Sequence, residues 1–295
     1  MTLSDAPNFR ALRRGGTREK LALFSLTLPA LLLIGCVLLA PILWLFGLSF
    51  LGDDGGFSLE HYRRLAESKS YARIFRTTFM VSALTTLLCA LLGYPLAYLL
   101  SQASRRTANL LMIAVLLPFW TSILVRTYAW LVLLQRKGLI NSWAMEIGLW
   151  DEPLKLAHNL GGTLLGMTHI MLPLMVLPLY AGMKSIDRDY ARAAANLGAG
   201  PARAFATVFF PLSLPGFLAG SIIVFVLCLG FFITPALLGG GRVIMAAMRI
   251  HTDIELFFNW GAASALGAVL LALTLAVLYA ASRALKTGQW FAGHS

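Results

Sequence analysis

Long apolar stretches, separated by short polar or glycine-bearing segments, set the organisation of this chain. Uncharged or nearly uncharged runs fall at residues 21–50, 77–101, 107–135 (interrupted by Arg126), 160–183, 214–238 and 259–282. A helix rises about 1.5 Å per residue, so about 20 residues cross the roughly 30 Å hydrocarbon layer of a bilayer. Each run is long enough, and the pattern predicts an all-α integral membrane protein with six transmembrane helices. The longest uncharged run, residues 204–241, exceeds one span; Pro211 and Pro215 are expected to divide it into a loop helix and a membrane helix.

The polar segment at residues 185–212, between the fourth and fifth runs, has its own local grammar. Asp187 can cap a first short helix through Asp189, Tyr190, Arg192, Ala193, Ala194 and Leu197, with acidic side chains at its electropositive start. Gly198 supplies a left-handed stop. Pro201 then opens a second short helix that carries Phe205 and Phe209 and is expected to end at Pro211. Tyr190, Ala194 and Leu197 share one face of the first helix, and the alanines leave a surface that another protein can approach closely. The segment reads as a folded handle for a partner.

Composition agrees with the pattern: 58% of the residues are hydrophobic and 13% charged, too apolar a balance for a soluble domain of this size. The first run is longer than the 7 to 15 apolar residues of a cleaved secretory signal, so it is expected to stay as the first helix. Arg10, Arg13, Arg14, Arg18 and Lys20 precede it, whereas residues 51–60 hold no Lys or Arg, which places the N-terminus inside. Six crossings return the C-terminus to the same side. The expected organisation is a cytoplasmic segment 1–20, a six-helix transmembrane domain 21–285 containing the loop 185–212, and a cytoplasmic tail 286–295. The net charge of +11 has no soluble basic domain to serve, so anionic headgroups rather than nucleic acid account for it. Cys36, Cys89 and Cys228 all fall in predicted spans and read as small apolar fillers.

Catalytic chemistry is sparse. No G-x-x-x-x-G-K-[ST] run, H-E-x-x-H or G-x-S-x-G occurs, and Gly239-Gly240-Gly241-Arg242 reads as a turn. The chain is not expected to be an enzyme, nor to hold a metal or cofactor. Ionisable groups at membrane depth are costly and serve as functional candidates. Arg126, followed by Tyr128 and Trp130, either faces a path and meets an anionic or carbonyl group, or snorkels or pairs with a neighbour. His169 is a core hydrogen-bonding histidine or a path residue, and Phe231 either packs or shapes a cavity. Asp253 and Glu255 are the acids nearest the outer mouth of the fifth and sixth spans, as site residues or as a charged rim. Amphipathic fragments at 59–65, 140–145 and 254–258 either dock a binding protein or anchor at the outer interface.

The order Arg192-Ala193-Ala194-Ala195-Asn196-Leu197-Gly198-Ala199, then Phe205, then Phe210-Pro211-Leu212-Ser213-Leu214-Pro215-Gly216, resembles the Glu-Ala-Ala loop of ABC importer permeases that work with a periplasmic binding protein. The run Phe232-Ile233-Thr234-Pro235-Ala236-Leu237-Leu238-Gly239-Gly240 looks like the spermidine/putrescine branch. The resemblance implies a type I importer-like fold with a coupling loop between helices 4 and 5. It further implies docking of Asp189, Tyr190, Arg192, Ala193, Ala194, Leu197, Gly198, Phe205 and Pro211 on an ATPase. Two copies of that ATPase, carrying the ATP and Mg, a second related permease and a periplasmic binding protein complete the implied assembly. Arg192 departs from the family pattern, which has Glu there. An ion-coupled carrier and a non-transporting membrane scaffold or receptor component are the alternative readings.

Overall fold

The computed structural model describes residues 7–52 and 55–292. Residues 1–6 of the expected N-terminal segment and 293–295 of the expected tail lie outside the described residues. The described chain is helical, apart from loops and one isolated bridge between Leu51 and Phe57.

Helix α1 (Pro7–Ser49) joins the basic N-terminal segment and the first span in one 43-residue helix, about 65 Å long. Short α2 (Glu60–Glu67) precedes the second span, α3 (Lys69–Gln102). Buried Ser49 sits between α1 and α2, donating to the Phe46 carbonyl at 2.6 Å and sharing a 2.7 Å hydrogen bond with Tyr62. At the other end of the chain, α13 (Trp260–Ala292) runs beyond the expected sixth span and into the segment read as a tail.

The third span is not the single helix expected over 107–135. It is broken into α4 (Arg105–Leu116) and α5 (Ile123–Leu133), which meet at 94°. Pro118 offers no N–H to continue the α ladder, so the chain tightens into a 3-10 turn at Leu117–Trp120 and leaves the helix in extended form at Thr121. The Thr121 hydroxyl caps the break by donating to the Pro118 carbonyl at 2.7 Å.

The following elements are α6 (Leu139–Glu146), α7 (Leu160–Lys184), α8 (Arg188–Asn196) and α9 (Pro201–Ala204). The last is not a separate loop helix, and Pro211 does not end it. From α9 the chain passes through a five-residue π turn, Phe205–Phe209, directly into α10 (Phe210–Leu229). There the Phe210 N–H reaches back five residues to the Phe205 carbonyl, and the wider turn gives the Pro211 ring room over the preceding backbone. The fifth span also stops earlier than residue 238. Gly230 interrupts it, and α11 (Ile233–Leu238) is a separate short helix, followed by α12 (Ala246–Glu255). The fragment expected at 254–258 is therefore only the end of α12; Phe258 lies beyond it with φ +51°.

Cross-contacts fix the directions. Tyr94, late in α3, shares a 2.8 Å hydrogen bond with Ser213, early in α10, while Phe79 and Phe225 meet at 6.0 Å near the opposite ends, so these helices are antiparallel. Helix α7 runs with α3: the Cys89 thiol lies 3.6 Å from the Thr168 carbonyl, and a Cβ on Gly93 would stand 3.0 Å from Met175 Cγ. The α4–α5 pair must carry the chain from the end of α3 to the start of α7. It is thus the sixth crossing, beside five helices long and apolar enough to cross alone.

The core lies between α3, α7 and α10, where Val81, Cys89, Met175, Val176, Leu179, Val224 and Cys228 are buried. Glycines allow the α7–α10 approach. A Cβ on Gly216 would stand 2.7 Å from the Pro178 carbonyl oxygen, and one on Gly220 would stand 3.0 Å from that of Met175. Helix α8 lies in the connection between these two spans.

Candidate functional site

The segment around α8 is built as its residues dictate. Asp187 Oδ1 accepts the Asp189 N–H at 3.0 Å, closing the N-terminus. At the other end Gly198 adopts φ +84°, its N–H donates to Ala195 at 2.9 Å, and the Ala199 N–H donates to Ala194 at 3.0 Å. This pair of bonds is a Schellman stop, and it requires the left-handed residue that glycine supplies. Arg192 Nη1 donates to Asp189 Oδ1 at 3.0 Å across one turn, which engages one of the five N–H donors of an otherwise exposed guanidinium.

Helix α8 leaves large side chains exposed. Leu197 is 89% exposed, Tyr190 is 57% exposed, and Ala193 is open between them, whereas Ala194 is half-buried. Exposure along the expected common face of Tyr190, Ala194 and Leu197 is thus uneven, and Tyr190 also borders the cleft beside α8. Behind α8 a cleft of about 420 Å³ separates it from the end of α3 and the π turn, with Tyr98, Gln102, Asp187, Phe205 and Phe209 among its walls. Tyr98 meets Phe205 and Phe209 edge-on at 5.5 and 5.1 Å. Phe205 thus couples the loop to α3 through its ring, and Pro211, exposed, sits one residue into α10.

At the opposite end of the bundle, α5 and α7 hold a second group. Trp130 Nε1 donates to His169 Nδ1 at 3.1 Å, which makes that nitrogen an acceptor in a neutral ring. Arg126, one turn before Trp130 on α5, is 7% exposed, and its Nε and Nη1 have no hydrogen-bond partner. Next to it, Thr127 shares a 3.0 Å hydrogen bond with Thr234 of α11. Tyr128 is not part of this group and is exposed. Phe231 is half-buried against the main core.

The two acids separate. Glu255 is exposed, whereas Asp253 is 2% exposed and bonds Arg249 Nη2 through Oδ1 at 2.8 Å. Burial pushes the Asp253 carboxyl above its ordinary value, and the Arg249 guanidinium pulls it part of the way back. Arg249 also faces the rings of Tyr71 and Phe257, at 5.5 and 5.3 Å from their centroids. Sequence reading singled out neither Arg249 nor Tyr71, and gave Phe257 only within the fragment 254–258. The four-residue spacing of Arg249 and Asp253 was the available signal.

A model of the inner-membrane components of binding-protein-dependent transport systems matches residues 90–286, a stretch that contains α7, α8 and α10 entire. The chain belongs to this family. It is a multi-pass inner-membrane permease component of a binding-protein-dependent ABC importer. The permease is 33% identical to the spermidine/putrescine transport system permease protein PotB of Haemophilus influenzae, over 84% of this chain and 90% of that one. Its identity to PotB of Escherichia coli K12 is 31%, over 83% of this chain and 92% of that protein. Among solved structures, a chain of a bacterial alginate ABC transporter, in complex with a periplasmic protein bound to alginate pentasaccharide, superposes with a TM-score of 0.73. It is 17% identical, over 90% of the permease and 94% of that chain, and the likeness is one of fold. The type I importer-like architecture expected from the resemblance is the architecture found.

Proposed function

We propose that this permease forms one half of an import path for aliphatic amines of the spermidine and putrescine class. A second, related permease supplies the other half, a periplasmic binding protein delivers the solute, and two ATPase copies carrying ATP and Mg drive the cycle from the cytoplasm. The relatives named as spermidine/putrescine permeases support the cargo class. Helix α8 supports the drive: it is capped at both ends, stands off the bundle over a cleft, and joins the two spans that pack through Gly216 and Gly220.

In this reading the ATPase grips Tyr190, Ala193 and Leu197, and closure of the ATPase pair displaces α8 together with α7 and α10. The α8 end is cytoplasmic, as are both chain termini. Arg126, Trp130 and His169 lie on the far half of the path. The test is purification from the native membrane followed by reconstitution in vesicles. An ATPase and a second permease should accompany this chain, and uptake of putrescine should depend on ATP. Uptake that persists without the ATPase would instead identify an ion-coupled carrier, and no uptake by the complete assembly would favour a scaffold.

A further inference from the structure

Asp253 is the one buried carboxylate among the described residues. Only half of it is satisfied. Oδ1 takes Arg249, while Oδ2 is buried without a hydrogen-bond partner. The side chain lines a cavity of about 470 Å³ between the start of α3 and the end of α12, whose walls include Arg64, Ser68, Tyr71, Arg249 and Phe257. An unpaired carboxylate oxygen removed from water is costly, so the arrangement favours a donor that enters the cavity and reaches it.

The walls indicate what kind of donor. The faces of Tyr71 and Phe257 already attract a cation, the guanidinium of Arg249. A carboxylate and two aromatic rings lining one cavity are the chemistry that recognises an organic ammonium group. Arg64, the other cation on the cavity wall, is drawn away by Glu60 at 2.8 Å. The cavity also lies at the end of the bundle opposite α8, because α12 is fixed to the start of α3 by the Ala246 N–H donating to Thr78 at 2.9 Å.

We propose that Asp253, Tyr71 and Phe257 form a recognition site for the ammonium end of an aliphatic amine, with Arg249 as a tethered competitor for the same carboxylate and rings. This rests on the import reading above, and it places the site on the side from which solute arrives. Because Oδ2 is itself sealed from solvent, an entering ammonium reaches it by displacing the Arg249 guanidinium from the carboxylate and the rings. Selectivity then comes from the competition, since a ligand must outbid a guanidinium held four residues away. The six spans contain no Asp or Glu, so a cation meets carboxylates only outside them, and Asp253 is the buried one among the described residues.

The test is equilibrium binding of radiolabelled putrescine to the purified full-length chain in nanodiscs, beside uptake by the complete importer. Saturable binding should weaken about tenfold or more in Asp253→Asn and in Phe257→Ala, and strengthen in Arg249→Gln. Asp253→Glu should recover part of the loss. Because Asp253→Asn can fail to fold, the gain in Arg249→Gln is the decisive arm. Absence of saturable binding to the native chain, or equal affinity in native, Asp253→Asn and Arg249→Gln proteins, overturns the site. If native binding follows the expected order but the assembled importer moves no amine, the site stands and the import reading falls. Amine uptake with no change in any of these variants has the opposite meaning.

Discussion

Gly182 and Gly216 face each other so closely that a Cβ on Gly182 would lie 3.2 Å from the Gly216 Cα. Backbone against backbone leaves no side chain to bend, so the spans on either side of α8 move as a pair. Gly216→Val should cost about 1–3 kcal/mol by overpacking against the Pro178 carbonyl. Gly35→Val, where nothing lies within 4 Å of an added Cβ, should leave stability unchanged. Thermal unfolding in detergent, followed by tryptophan fluorescence, distinguishes the two.

Gly198→Val addresses the cap alone. A Cβ at Gly198 meets nothing within 4 Å, so the penalty is conformational, about 1–2 kcal/mol for holding an L side chain in the left-handed region. Combined with Ala194→Glu, the change should leave membrane insertion intact and remove the ATPase from pull-downs. Native-level uptake by the double variant, present at native abundance, would defeat the coupling role of α8.

Arg192→Glu replaces a 3.0 Å pair with two like charges one turn apart. Both side chains are well exposed, so stability should change by less than about 0.5 kcal/mol. Loss of ATPase affinity without loss of stability is the expected result. Unaltered coupling would show that the partner surface ignores the charge at this position.

Trp130→Phe keeps the ring and deletes the donor to His169. The expected loss is about 1 kcal/mol, and His169→Ala should cost less in the Trp130→Phe background than in the native one. A double-mutant cycle on unfolding temperature measures that difference; strict additivity would mean the bond contributes nothing.

For Asp253 the sign follows from a carboxyl pushed upward by burial. Its favourable contribution is complete below the ordinary carboxyl range, about pH 4, and is lost as pH rises through the raised folded value. The stability of Asp253→Asn relative to the native protein should therefore increase with pH across that window. A flat difference between the two unfolding curves, or one of opposite slope, would contradict it.

Much of this was legible in the chain because apolar length and caps are local properties. Six crossings follow from run length, and the ends of α8 follow from Asp187 and Gly198 alone. The broken third span was signalled by Pro118 with Thr121 and Ser122, yet an uncharged run hides a bend that hydropathy does not measure. Pro211 misled for a different reason. A proline stops an α turn, but the wider turn at Phe205–Phe209 accommodates it, and that choice depends on Tyr98 and Tyr94 packing from another helix. The Tyr71 ring that Arg249 faces was out of reach because it comes from the start of α3, far away in sequence.

Continuity from Pro201 to Leu229 gives the fifth span an engineering property. Twenty-nine residues in one rod reach about 43 Å, from the surface turn at Gly200 to the break at Gly230. A force applied at the near tip is carried along one continuous helix, so displacement there should reappear beside α11 at the far tip. At the far tip the chain leaves that line at Gly230, where the long helix ends and the short α11 takes a separate course.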